Sequence, residues 1–437
     1  MKSKAGAPSQ IFVVNCWHDS NKGDAAINIG LLNALVVNRL TNQLKLASYA
    51  IYSTDEAETY AFRHVKAAHP EAEVVTTAVP GMAASVGHKA ALQMAFRGLI
   101  KLIIPGLLPD KPMESVIRES SAVVSTGGLY FGFVKGSFAD QAYHLFALSY
   151  PMLFARRIGV PYVLYAQSFG PFHGRFARWW MRRLVSNSAG TWSRESFSQE
   201  MLRKLGAKPE RLKVVADAAF GIRVNPDCEA VDLSHYGLTP GAYVALSLRG
   251  LGSAGHDKKI EENYRTVFQC TVEWLVREKD LNVVLMAHTI GPYELEDDRG
   301  TTEAVWKSLS SEVRARSVLI LDDLGPNQLA QLYGAAKFVI ATRFHAAVLA
   351  ICGGSPIVAI PYFGLKTQGS LRDLGLADFV IELGSLTLES VQQKCNAILS
   401  AEIAMRDRIQ AIAQERYKAA MQTGEDLGKI IAATSNR

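Results

Sequence analysis

Two hydrophobic rhythms alternate along the chain. Short apolar runs of strand length recur between longer stretches in which apolar positions fall three and four apart, as on one face of a helix. Runs at 10–15, 46–51, 73–79, 122–125, 161–165, 191–195 and 213–216 predict strands in the first half. Those at 243–248, 282–287, 317–321, 338–341 and 356–360 predict strands in the second. Helical spacing covers 25–40, where Ile27, Leu31, Leu35 and Val36 share a face, then 89–108, 138–157 and 175–185, with a further helix beginning near 196. It returns at 261–278, 302–309, 326–335 and 346–352, and 387–435 is largely helical. Strands and helices that alternate at this spacing imply doubly wound parallel sheets. Between the halves, 225–241 combines proline, glycine and mixed charges without periodicity, and reads as a linker. The expected division is an N-terminal Rossmann-like domain over 1–224, a second over 242–400, and a helical segment, 401–437, packing across both. A chain of 437 residues is too long for one ordinary core, which agrees with this division.

In an open parallel sheet, ligands bind beyond the carboxyl ends of the strands. The polar residues that follow each predicted strand are therefore the candidate chemistry. After the strand at 338–341 come Arg343 and His345, at the start of a helix whose N–H groups favour anions. Arg343 can grip a carboxylate or phosphate with two prongs, and His345 can exchange a proton near neutrality. A bland reading stands beside this one, with an arginine paired to a nearby carboxylate and a half-buried histidine. In the first half, Asn21, Gly23 and Asp24 follow the first strand, with Asp24 expected to cap the helix at 25. Gly127 and Gly128 follow the strand at 122–125 and let a ligand approach the backbone. Gln167 and Ser168 follow the next strand, and Arg194 the one after. In the second half Arg249 and His288 occupy the same kind of position, with the acidic run at 296–298 close to His288 and with Lys366 beyond the last core strand.

Composition narrows the classes. Hydrophobic residues make up 49% and charged ones 20%, which fits a folded domain protein and excludes broad disorder. The net charge of +6 suits anionic substrates or an anionic surface and is too weak to demand nucleic acid. Five scattered cysteines without a CxxC pair argue against a disulfide framework or a zinc site, and no metal-ligand spacing surrounds His288. A cytoplasmic location follows as the expectation. Two stretches suggest peripheral contact with the inner membrane face. One is the amphipathic segment 89–108 around Arg97 and Lys101. The other is the segment 175–185, with Arg175, Arg178, Arg182, Arg183, Trp179 and Trp180.

Several of these stretches together resemble the polysaccharide pyruvyl transferase family over nearly the whole chain. Asn21-Lys22-Gly23-Asp24-Ala25-Ala26-Ile27 looks like its N-x-G-D-x-A-I, and Gln167-Ser168-Phe169-Gly170-Pro171-Phe172 its Q-S-I-G-P-F. Arg194-Glu195-Ser196-Phe197-Ser198 is similar to R-D-x-x-S with glutamate in the aspartate position, and Asp217-Ala218-Ala219-Phe220 to D-P-A-F. Arg343-Phe344-His345-Ala346 matches R-x-H-A, and Lys366-Thr367-Gln368-Gly369 with Leu374-Gly375-Leu376 matches K-x-x-G followed by L-G-L.

The resemblance implies two Rossmann-like domains facing a cleft, as in GT-B glycosyltransferases, with the acceptor on the first and the donor on the second. It implies transfer of pyruvate from phosphoenolpyruvate to two sugar hydroxyls as a cyclic ketal, with release of phosphate. Arg194, Arg343 and Lys366 become the expected clamps on the donor. His345 becomes the proton donor, to the methylene carbon or to the leaving phosphate, and Asp24 an acceptor-side group or base. The acceptor would be a saccharide carried on a lipid, with no cofactor, metal or nucleic acid required. Two alternatives remain at this point: a nucleotide-sugar glycosyltransferase of the same shape, and a non-catalytic membrane-associated scaffold of polysaccharide assembly.

Overall fold

A computed structural model describes residues 10–41, 43–49, 60–81, 87–132, 137–222, 224, 230–251, 257–362 and 364–435. The apolar runs of the first half form β1 (Ile11–Cys16), β2 (Leu44–Ser48), β3 (Glu73–Val74), β4 (Ala122–Ser125), β5 (Tyr162–Gln167), β6 (Gly190–Ser193) and β7 (Leu212–Val214). They lie side by side in the order β3-β2-β1-β4-β5-β6-β7, every neighbouring pair parallel. Helices cover the sheet, so the residues of β1, β4, β5 and β6 are all buried, which is why these strands read as unbroken apolar runs. The crossovers include α1 (Lys22–Val37), α2 (Arg63–Ala68), α3 (His88–Ile103), α4 (Pro112–Glu119), α5 (Phe138–Arg157), α6 (Gly174–Asn187) and α7 (Ser196–Lys204).

The second half repeats the plan with β8 (Tyr243–Ser247), β9 (Asn282–Met286), β10 (Ser317–Ile320), β11 (Val339–Ala341) and β12 (Ile357–Ala359). Their order is β10-β9-β8-β11-β12, again all parallel. The helices are α8 (Lys258–Arg277), α9 (Arg299–Ser308), α10 (Ser311–Arg314), α11 (Pro326–Ala335), α12 (Phe344–Cys352) and α13 (Gly364–Asp373), followed by α14 (Leu388–Ser400) and α15 (Glu402–Ser435). In both sheets the winding direction reverses beside the first strand, between β1 and β4 and between β8 and β11. Such a reversal opens a crevice at the carboxyl edge, the usual ligand position in this architecture.

Some boundaries differ from the sequence expectation for local reasons. The first helix begins at Lys22, not at residue 25, because Asn21 accepts the Gly23 N–H through its side chain at 3.1 Å. That is the capping role expected of Asp24, which instead lies in the first turn, where an acidic side chain complements the helix dipole. The run at 73–79 yields only the short β3, and the helix expected over 89–108 stops at Ile103, just before Pro105. Part of the expected linker, 225–229, falls outside the described residues.

The chain divides into two compact units, neither of them continuous in sequence. The first comprises Met1–Asp19, Ile27–Gly221 and Lys418–Arg437, and the second Ser20–Ala26 and Ile222–Tyr417. The opening turn of α1 thus groups with the second sheet, and α15 is shared between the units.

Candidate active site

At the carboxyl edge of the second sheet, β8 hands over to Arg249, β9 to His288, β11 to Arg343 and β12 to Tyr362. Arg249 and Arg343 therefore flank the point where the winding reverses. Arg343 is 6% exposed and precedes α12 as its cap residue. Its Nε donates to both Asp298 oxygens at 3.1 and 3.0 Å, and its Nη2 donates to Asp298 Oδ1 at 2.6 Å and to the Glu296 carbonyl at 2.7 Å. Asp298 is fully buried and also accepts the Thr289 N–H at 2.8 Å. Burial works against the charge on Arg343, but the adjoining Asp298 carboxylate outweighs it and holds the guanidinium above its ordinary range. The arginine expected to grip the donor thus has a two-pronged carboxylate partner in the protein. Among the described residues its Nη1 makes no hydrogen bond.

Around this pair lie further buried polar groups. Arg249 sits over the Tyr362 ring, 3.9 Å from its centroid. Burial, and then the neighbouring Arg343, push its pKa down. His288 is 1% exposed, and burial together with Arg343, His345 and Lys22 holds its pKa well below the ordinary value, so the ring is neutral at physiological pH. Its Nδ1 lies 3.5 Å from the Tyr333 hydroxyl, and its Nε2 has no hydrogen-bond partner among the described residues. An orphaned buried nitrogen is costly and marks a place where a bound group or water completes the bonding.

The segment 20–26 brings the first motif to this edge. Asn21 bridges to Thr289 in antiparallel fashion, and the Ile290 N–H donates to the Ser20 carbonyl at 2.9 Å. Lys22, 1% exposed, pairs with Asp323 beyond β10. Gly23 lies directly against His345, and a Cβ added to it would stand 2.3 Å from His345 Nδ1. His345, half-buried in the first turn of α12, also tilts against the Phe344 ring. A glycine is therefore required here by close approach and not by backbone conformation. On the proton-donor role expected of His345, Gly23→Ala should leave the fold intact and lower turnover by about 10²-fold, because a reacting group displaced by an ångström loses its alignment. Steady-state kinetics beside a thermal melt checks this, and unchanged turnover would remove His345 from the chemistry.

The first unit gathers a different set. Gln167 Nε2 donates to Ser125 O, Ser125 Oγ and Thr126 O at 3.1, 2.7 and 2.6 Å, and the Ser168 N–H donates to the Gly128 carbonyl at 2.9 Å. Gly127 has no room for a side chain, since a Cβ would meet the Ala166 carbonyl oxygen at 2.9 Å, and Gly128 has φ +138°. Arg194, with a side chain 1% exposed, donates from Nε to Ser168 Oγ at 2.8 Å and from Nη1 to Asp217 Oδ2 at 2.7 Å. Ser168 Oγ in turn donates to Glu195 Oε2 at 3.0 Å, Ser198 Oγ donates to Glu195 Oε1, and the Phe169 N–H donates to Ser198 Oγ at 2.7 Å. The Q-S-F-G-P-F, R-E-S-F-S and D-A-A-F stretches are thus one buried polar network tying the loops after β5, β6 and β7. Arg194 was expected to clamp a donor, and its guanidinium is committed inside this network.

The expected site residues accordingly fall into two groups. Asn21, Gly23, Asp24, Arg249, His288, Arg343 and His345 belong to the second unit, and Gly127, Gly128, Gln167, Ser168 and Arg194 to the first. Lys366 falls within α13, and its side chain lies outside the described residues. Among the described residues no group of three or more His, Cys, Asp and Glu could hold a metal ion, and Asp298, from the acidic run beside His288, is bound to Arg343. The bland reading of Arg343, an arginine paired to a nearby carboxylate, is the arrangement found, although sequence reasoning did not name Asp298 as the partner, and it missed the Lys22–Asp323 pair altogether. Asp298 could have been sought, because a buried arginine requires an anion and 296–298 supplied one. Nothing local in the sequence signals that Lys22 is buried.

A family model described as polysaccharide pyruvyl transferase matches residues 21–362. The amylovoran biosynthesis protein AmsJ of Erwinia amylovora is 25% identical over 322 residues, which span 72% of this chain and 74% of AmsJ. Anabaena HepE, solved in complex with UDP and glucose, superposes with TM-score 0.55 at 13% identity, covering 97% of this chain and 100% of HepE. The UDP-GlcNAc 2-epimerase of Methanocaldococcus jannaschii superposes with TM-score 0.58 at 11% identity, covering 95% and 98%. At such identities the likeness is one of fold, the GT-B-like pair of parallel α/β domains expected from the sequence.

Proposed function

Because the chain belongs to the polysaccharide pyruvyl transferase family, we propose that it moves the pyruvyl unit of phosphoenolpyruvate onto two hydroxyls of a sugar in a polysaccharide precursor. The observation that carries this reading is the meeting of two distant motifs, with Gly23 of the first packed against His345 of the second. Around them, Arg249, Arg343 and the orphaned Nε2 of His288 offer cationic and neutral donors at one sheet edge. A donor with a carboxylate and a phosphate fits such an edge, and the amino terminus of α12 adds N–H groups of the same sense.

The methylene carbon of phosphoenolpyruvate takes up a proton, for which His345 is the donor, and the adjacent carbon becomes electrophilic. One sugar hydroxyl adds to that carbon and loses its proton. The bond from this carbon to the phosphate oxygen then breaks, and the second hydroxyl adds in its place. Of the two hydroxyl protons, one replaces the proton given to the methyl group and the other leaves with inorganic phosphate. Asp24, in the first turn of α1, is the candidate base for a hydroxyl. The Asp298–Arg343 pair fixes one donor-side cation with its remaining nitrogen available, which favours orientation over flexible capture.

The test is binding and turnover on the purified full chain. Calorimetry should detect phosphoenolpyruvate and not UDP-sugars, and phosphate release should depend on an added glycan acceptor. Tight UDP-sugar binding without phosphoenolpyruvate binding would replace this reading with glycosyl transfer, and binding of neither would leave a scaffold.

A further inference from the structure

The helical layer α3–α5–α6 of the first unit carries an unusual surface. On α3, Leu92, Phe96, Leu99 and Ile103 recur three and four apart and are 63, 66, 48 and 63% exposed. Ile104 and Leu107, just beyond the helix, are 52 and 59% exposed. Contiguous exposed apolar surface of this kind marks an interaction face and is not a routine feature of a solvated helix.

Arg97 and Lys101 of α3 do not share that face. Arg97 donates to both Glu114 oxygens at 2.7 and 3.0 Å, and the fully buried Lys101 donates to the Pro105 and Leu108 carbonyls at 2.9 and 2.6 Å and pairs with Asp110. This corrects the sequence expectation of an amphipathic helix made basic by Arg97 and Lys101. They fasten the following loop and α4 beneath α3, and leave the stripe from Leu92 to Ile103 exposed, with Lys89 and Gln93 at its amino-terminal end.

Charge is supplied from α6 instead. Arg175, Arg178, Arg182 and Arg183 are exposed, Trp179 is 51% exposed, and the helix contains no carboxylate. Both helices pack on α5. Gly98 of α3 lies against Tyr150, Arg157 donates to the Leu102 and Ile103 carbonyls, and Trp180 of α6 donates to Ser149 at 2.9 Å. Phe138, at the start of α5, is 65% exposed and meets Phe176 of α6 edge-on.

We propose that this layer docks on an anionic phospholipid surface, with the α3 stripe entering the headgroup–acyl boundary and the α6 arginines holding lipid phosphates. Charge complementarity selects this occupant, because a cluster of arginines without carboxylates beside an apolar, aromatic-bearing face matches an anionic interface on both counts. No helix among the described residues is long and apolar enough to cross a membrane, so the contact is one of surface docking. The proposal stands on this surface alone and not on the pyruvyl-transfer reading.

Co-sedimentation of the full chain with phosphatidylglycerol–phosphatidylcholine vesicles, against phosphatidylcholine alone, tests it. Binding to the anionic vesicles is expected at low salt. It should weaken roughly a hundredfold in an Arg178→Gln/Arg182→Gln/Arg183→Gln variant and more than about tenfold in a Leu92→Ser/Phe96→Ser variant. These side chains are solvent-exposed, and circular dichroism verifies that the variants remain folded. Failure to bind anionic vesicles at low salt, binding that neither variant changes, or a dimer abolished by Leu92→Ser/Phe96→Ser in place of vesicle binding would each overturn the proposal.

Discussion

Asp298→Ala is expected to destabilise the protein by about 3–5 kcal/mol. The substitution removes the carboxylate that meets Arg343 through two nitrogens and leaves a guanidinium 6% exposed without its counter-charge. Domain stabilities are only about 5–15 kcal/mol, so the loss is a large fraction of the total. The same change frees the Thr289 N–H, which bonds to Asp298 at 2.8 Å in the native protein. Replacing both partners with apolar residues, Arg343→Met with Asp298→Leu, should recover much of the stability while abolishing activity, because the desolvation of both ions disappears together. Urea denaturation of the two variants measures the contrast. A loss under about 1 kcal/mol for Asp298→Ala would mean that the pair is hydrated and not the anchor described here.

His345→Gln is expected to lower kcat by about 10²–10⁴ with little change in phosphoenolpyruvate affinity. Glutamine keeps a polar group of similar reach and cannot supply a proton near neutrality. A proton donor acts in the transition state, so its removal appears in the maximal rate and not in ground-state binding. The packing of the ring against Gly23 and Phe344 gives the group a fixed orientation. Turnover measured under saturating donor, with calorimetry on the same variant, separates the two effects. Lost affinity with normal turnover per bound donor would make His345 a binding residue.

The parts of the fold legible in sequence are those governed by local pattern. The helix at Phe138–Arg157 matches its expected ends because Ser137 caps it and apolar spacing persists throughout. The strands at Ala122–Ser125 and Val339–Ala341 fall within their apolar runs for the same reason. The candidate residues after the strands do lie at the carboxyl edges, since parallel topology dictates it. What the sequence could not convey was which charges are committed. Arg194 and Arg343 look alike along the chain, each following a strand and preceding a helix. Only the fold reveals that Arg194 is locked by Asp217 and Ser168, 23 and 26 residues away, and Arg343 by Asp298, 45 residues away. The same holds for Arg97 and Lys101, which read as the charges of a basic amphipathic helix and are instead drawn inward by Glu114 and Asp110.

The discontinuity of the two units bears on how the protein is made. The first sheet leaves the ribosome early, but its unit is completed only by Lys418–Arg437, which are translated after the whole of the second sheet. Those residues accept the Asn38 amide at Met421 O, pair Asp426 with Lys213, and pack Ile430 beside Gly190. The second unit has the reverse history, because Ser20–Ala26 is synthesised long before the sheet it joins. Each half therefore draws part of its packing from a segment distant along the chain, and a truncation after residue 417 is expected to act as a lesion in the amino-terminal unit and not as the trimming of a tail.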